Sequence, residues 1–201
     1  MKTQKTIARR SALLVLVSAV LAMASVAGAT LVKPMSLEAL VGESDVIVHA
    51  TVESQTVTWA SGDERAMIHT LTELRVIDAL KGDAKANDTV LIRQLGGEIG
   101  EEAILVEGNA QLVRGEEVVI FLDRDERAPL HYVVGMAQGK YHVDTSTQPP
   151  TLHRDLDGLS FLPQKVVPGA AALAQPREAV ESKASTVTLE DFKARVRAVR
   201  P

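Results

Sequence analysis

Cysteine is absent from the 201-residue chain. Its absence excludes a disulfide framework, a thiolate zinc site, a cysteine nucleophile and lipid attachment through a thiol. Aromatic residues are scarce, with one Trp, two Tyr and three Phe, too few for the stacking platform that binds single-stranded nucleic acid. There is no basic excess either: 22 Lys and Arg stand against 26 Asp and Glu, a net charge of −4. Nucleic acid is therefore excluded as a partner, because a duplex-binding surface needs clustered cations to displace phosphate counterions. What remains is length enough for one core, which commonly organises ~100–200 residues.

The first 29 residues differ from the rest. Lys2, Lys5, Arg9 and Arg10 precede an uncharged run from Ser11 to Ala29 rich in Leu, Val and Ala, closing in Ala27-Gly28-Ala29. A basic start, an apolar middle and a small-residue end make a cleaved secretory signal the expectation for residues 1–29. An uncleaved anchor is the rival, since the run approaches the ~20 residues that span a bilayer. Arg9-Arg10 is followed by Ser11-Ala12-Leu13, a poor twin-arginine signal, so general secretion is expected. Cleavage lowers the basic count from 22 to 18 against 26 acids, leaving a mature chain at −8. The expected location is the periplasm or the exterior, with no transmembrane anchor after cleavage.

Residues 31–163 carry the pattern of a mainly β domain. Ser36 before Leu37, Leu40, Val41 and Gly42 predicts a helix of one or two turns with Gly42 as its stop. From Asp45 the period becomes two, predicting a strand toward Trp59, a polar turn over residues 60–64 and a second strand from Met67 to Leu80, together a hairpin. Thr89–Leu95 predicts a third strand and Ala103–Val106 a short edge strand, after interruptions at Gly96, Gly97 and Gly100. Val118–Leu122 is the most hydrophobic run beyond the signal and predicts a strand buried on both faces. Leu130–Val134 and Lys140–Val143 predict two more, joined by a turn from Gly135 to Gly139. Short strands at regular spacing predict a small antiparallel barrel or sandwich.

Residues 164–187, with Pro168 and Pro176 and few bulky side chains, are expected to form a flexible linker. Residues 188–200 predict an amphipathic helix: Thr188 caps, Glu190 and Asp191 occupy the first turn, and Leu189, Phe192, Val196 and Val199 share a face.

Three stretches in order carry a family resemblance: Ser44–Val52, beginning Ser-Asp; Leu74–Gly82, ending Lys-Gly; and Arg114–Leu122, beginning Arg-Gly-Glu. The chain resembles the OB-fold barrels of the netrin/TIMP-like type and secreted bacterial proteins on the same plan, over roughly half its length. The resemblance implies an OB-like barrel. Metalloproteinase inhibitors of that type use an N-terminal cysteine, which this chain lacks, so that activity is not implied.

No catalytic or metal motif is present. The histidines His49, His69, His131, His142 and His153 form no His-x-His or His-Glu-x-x-His pattern. His49 and His69 lie on the two strands expected to pair, which leaves a bridging metal conceivable, but zinc usually needs three or four protein ligands and ordinary strand histidines are expected. Asp155-Leu156-Asp157-Gly158 lacks two essential ligands of a calcium loop and is expected to be a turn. Asp123–Glu126 is expected to be a solvated loop. No serine sits in Gly-x-Ser-x-Gly or Ser-x-x-Lys. Glu101-Glu102 and Glu116-Glu117 are adjacent, which on a strand directs the two carboxylates to opposite faces. The glycine-marked segments combine flexible backbone with polar or aromatic side chains, making Gly97, Gln138, Lys140 and Tyr141 the candidate binding residues.

The expectation is an exported, non-catalytic binding or structural module, without metal or other cofactor, whose partner is a protein or a cell-envelope component. The alternative is a hydrolase, or an inhibitor of one, with a site assembled only by folding. A concave pocket gathering a histidine, a carboxylate and a hydroxyl would favour the enzyme; a smooth barrel with one exposed apolar rim would favour the module.

Overall fold

Strand β2 (Val46–Trp59) is the element from which the rest is built. The computed structural model describes residues 30–60, 67–162 and 187–199. The expected signal segment lies outside these residues, as do most of the 60–64 turn and all of the expected linker except Val187. β2 pairs antiparallel with β3 (Ile68–Lys81) on one edge and with β7 (Glu117–Arg124) on the other. β3 pairs with β4 (Thr89–Leu95), β4 with β8 (His131–Val133), and β8 returns to β7, so five strands close into a barrel in the order β2-β3-β4-β8-β7. Every barrel pairing is antiparallel except β4 with β8, which meet in parallel at Ile92 and His131.

Closure requires β2 to bend, and its ladder with β3 is irregular at Ile47/Val48, His49/Ala50 and Val52/Ser54. Such bulges add local twist and re-aim the strand. The interior is filled by Val48, Ala50, Val52, Leu74, Ile92, Val118 and Ile120, all fully buried. The alternate residues Ile47, Val119 and Phe121 face outward into a second core. β7 is thus buried on both faces, as its unbroken apolar run predicts.

The edge of β7 is shared. Its C-terminal half pairs with β8, while Val118–Ile120 pair with β9 (Lys140–Asp144), which continues the sheet past the barrel through β10 (Thr151–His153) to β12 (Val187–Thr188). The expected Gly135–Gly139 turn is one 3-10 turn over Met136–Gly139, and it lets the chain leave β8 and rejoin the same strand as β9. β5 (Gly97–Ile99) and β6 (Glu102–Ile104) make a small hairpin, and β1 (Thr30–Val32) pairs in parallel with β11 (Leu159–Phe161).

Two helices cover the second core. α1 (Leu37–Glu43) starts at Ser36, whose Oγ accepts the Ala39 N–H at 3.2 Å. It does not stop at Gly42: the C-cap is Ser44, in extended backbone, whose hydroxyl donates to the Leu40 carbonyl at 2.6 Å. Lys81 donates from Nζ to the Val41 carbonyl at 2.7 Å, satisfying another end carbonyl. The next residue, Gly82, has φ +91°, and a Cβ there would lie 2.8 Å from the Asp45 carbonyl oxygen. The Lys-Gly and Ser-Asp motifs therefore meet where α1 runs into β2.

α2 (Leu189–Ala198) is capped by Thr188, which accepts the Asp191 N–H at 3.2 Å. It docks on the barrel by inserting Leu189, Phe192 and Val196 beside Leu40, Phe121 and Tyr141. Three of the six aromatic residues meet there, Phe192 with Tyr141 at 4.4 Å and with Phe121 at 6.4 Å between ring centres. No helix among the described residues is long and apolar enough to cross a membrane.

Candidate functional sites around strand β7

The adjacent Glu116 and Glu117 point to opposite sides of the sheet, and each takes its own histidine. Glu117 accepts a hydrogen bond from Nε2 of His49 at 3.0 Å, on the face covered by α2. A carboxylate can only accept, so Nε2 carries the proton and Nδ1 is the bare nitrogen. That Nδ1 is buried and has no hydrogen-bond partner. A second proton would sit there with nothing to accept it, and burial accordingly holds the His49 pKa below its ordinary value, with the neighbouring Lys193 adding to the effect and Glu117 opposing it.

Beside His49 lies a charge network. Asp78, the cross-strand partner of His49, bonds Lys193 at 3.2 Å and Arg197 at 2.8 Å, and Lys193 also reaches Glu190 at 3.3 Å. Burial of Asp78 raises its pKa, but the two cations outweigh it and hold the carboxyl below the usual range. Lys193 and Arg197 of α2 thus anchor the helix to Asp78 of β3. His69 lies on β3, which pairs with the strand of His49, but its partner is Thr58 at the other end of the hairpin, so the structure does not bring the two imidazoles together.

Glu116 serves the opposite, open face of the β9–β10 extension. Its carboxylate accepts from Lys140 at 2.9 Å, from Nδ1 of His142 at 3.1 Å and from the Val113 N–H at 2.6 Å. Lys140 also donates to the Gln111 carbonyl. His142 is directly opposite His153 across β9 and β10, with ring centres 4.7 Å apart. Asp144, two residues along the same face, is held below the usual carboxylate range by hydrogen bonds from Ser146, with smaller contributions from His142 and His153.

The four expected binding residues separate. Lys140 lines an open cavity of about 220 Å³ together with Glu107, Asn109, Gln111, Asp155 and Asp157. Tyr141, the next residue, faces the other way into the aromatic cluster, with the Arg154 guanidinium 4.9 Å over its ring. Gln138 is buried as a clamp on the chain before α1: its Oε1 accepts the Met35 N–H at 2.8 Å, and its Nε2 donates to the carbonyls of Lys33 and Gly135. Gly97 begins the β5–β6 hairpin and packs under Val57 and Ile68. The Asp155–Gly158 segment is the expected turn, closed by the Asp157 N–H on the Asp155 carboxylate. Asp123 and Arg124 belong to β7 rather than to a loop, so the solvated loop begins only at Asp125. Among the described residues no three His, Asp or Glu side chains converge on a point able to hold a metal ion.

The β2–β3 hairpin reaches past the barrel and exposes Val57, Trp59 and Met67 near its outer end. This rim was not among the sequence candidates. Its signal is the alternation of Val57 and Trp59 running beyond the last interior residue, Val52. No family model matches the chain, and no curated protein matches it.

Proposed function

We propose that the protein is an exported, non-catalytic binding module whose partner is a protein or a cell-envelope component, engaged through the outer end of the β2–β3 hairpin. The observation that carries this reading is the pairing of a filled barrel with an exposed apolar rim of Val57, Trp59 and Met67 at the outer end of the hairpin. Val48, Ala50, Val52 and Ile120 leave no room for a ligand in the barrel, so recognition belongs to the outer surface. On that surface Val57 and Trp59 of β2, with Met67 just before β3, stand a third or more exposed. Trp is the side chain most enriched at the centres of protein interfaces, where its large apolar area is desolvated. The 220 Å³ cavity supports the enzyme alternative less, because carboxylates and Lys140 line it but no histidine and no hydroxyl does.

Export is part of the proposal and rests on residues 1–29; the expected mature chain begins at Thr30. The strand order supports the netrin/TIMP-like resemblance, as does the meeting of two of its motifs at the α1–β2 junction. A photo-crosslinking residue placed at Trp59 or Met67 in the producing cell tests the reading. A discrete adduct in the envelope fraction is expected from these positions and not from Glu190, which is exposed on α2. Absence of an adduct at the rim, or the same adducts at Glu190, would refute it.

A further inference from the structure

We propose that the open face of β9 and β10 binds a divalent first-row transition metal, with Cu(II) favoured, between His142 and His153. Ring separation is the first support. An imidazole centre lies about 3.2 Å from a metal bound through its nitrogen, and angles of about 90–109° at the metal place two such centres about 4.5–5.2 Å apart. The observed separation is 4.7 Å, with the ring planes inclined at 52°. The residues are a cross-strand pair, so the backbone register holds the spacing.

Orientation is the second support. Nδ1 of His142 must donate its proton to Glu116, which leaves Nε2 as the lone-pair nitrogen. A carboxylate behind a histidine in this way sets the tautomer and raises ligand basicity. Glu116 is itself fixed by Lys140 and the Val113 N–H, and its carboxylate is only a tenth exposed. Local charge is the third. The Lys140 ammonium is paired with Glu116 at 2.9 Å, and the Asp144 carboxylate, two residues along β9 from His142 on the same face, brings charge of the sign a cation requires.

Two protein ligands leave the remaining positions to water, which sets this site apart from the three-ligand clusters that bind zinc tightly. Cu(II) heads the affinity order for nitrogen ligands and accepts a tetragonal arrangement of two imidazoles and water. This proposal does not depend on the role assigned to the hairpin rim.

The test is titration of the full, tag-free chain with Cu(II) at pH 7.5, followed by calorimetry and electron paramagnetic resonance. One equivalent is expected, with hyperfine structure from two imidazole nitrogens. His153→Ala removes an exposed side chain and should fold normally; it should weaken binding by at least the tenfold or so that loss of a supporting carboxylate costs. Glu116→Gln should weaken it about 10–100-fold without abolishing it. Equal affinity in the unmodified chain and His153→Ala, or a signal from a single imidazole, would overturn the proposal.

Discussion

Replacement of Phe192 by Ala tests how firmly α2 belongs to the fold. The side chain is 3% exposed and fills the space between Phe121 and Tyr141. Removing a buried phenylalanine costs about 3–5 kcal/mol, combining lost transfer energy with the cavity left behind. The two ring contacts supply about 0.5–1.5 kcal/mol each of that cost. Against a total stability of about 5–15 kcal/mol for an ordinary domain, the variant loses a large fraction. With a urea m-value of about 1–3 kcal/mol/M, the unfolding midpoint should fall by at least about 1 M at unchanged m. The cost is capped if α2 releases instead of leaving a cavity, and in that case Val196→Ala adds almost nothing in the double variant. Hydrogen exchange separates the two outcomes, since release exposes the amides of residues 193–198 while those of Val119–Phe121 stay protected. A loss below about 1 kcal/mol with no change in exchange would refute the packing argument, because it is the size of an ordinary surface substitution.

Three further outcomes are expected. The His49 pKa is lowered in the folded chain, so its contribution to stability is present above the ordinary imidazole value of about 6.5 and is lost as pH falls below that toward the folded value. Urea midpoints at pH 7.5 and 5.5 should therefore differ more for the native chain than for His49→Gln; equal differences would show that other groups carry the dependence. Gly97→Ala places a methyl 2.5 Å from Val57 Cγ1 at φ +140°, which should cost about 1–3 kcal/mol in strain, whereas Gly42→Ala, with open space around it, should be neutral or stabilising. Gln138→Ala leaves the Met35 N–H and the Lys33 carbonyl without their partner, for a loss of about 1–3 kcal/mol in thermal or urea unfolding.

Alternation located most strands but carries only the parity of each residue, not which strand lies beside which. Thr89–Leu95 occurs with the expected bounds, and Val118–Leu122 forms the doubly buried centre of β7. Barrel closure depends instead on the bulges of β2 and the single parallel contact of β4 with β8, neither of which has a local signature. β1, β10, β11 and β12 span only two or three residues each, too few to establish a period. The glycine at position 42 misled because a C-terminal stop needs positive φ, and Gly42 has none; the stop comes from the Ser44 hydroxyl and the turn into β2.

The candidate sites were legible to the same depth. Lys140, His142 and Asp144 alternate with Tyr141 and Val143, which places the polar three on one face, but the meeting of His142 with His153 requires a register set by the unrecognised strand β10. Adjacent acids at 116 and 117 were expected to diverge, and their divergence has a consequence specific to β7. This strand separates the barrel interior from the helix-covered core, and its edge is continued by β9. A one-residue step along the chain therefore moves a carboxylate from the open β9–β10 face to the layer beneath α2. Inserting a single residue between Glu116 and Glu117 would leave the Glu117–Leu122 register intact and displace Glu116 from Lys140 and His142. An insertion between Glu117 and Val118 would move both carboxylates, breaking the His49 and His142 contacts together. The first insertion should leave the pH dependence of stability attributed to His49 unchanged, whereas the second should alter it.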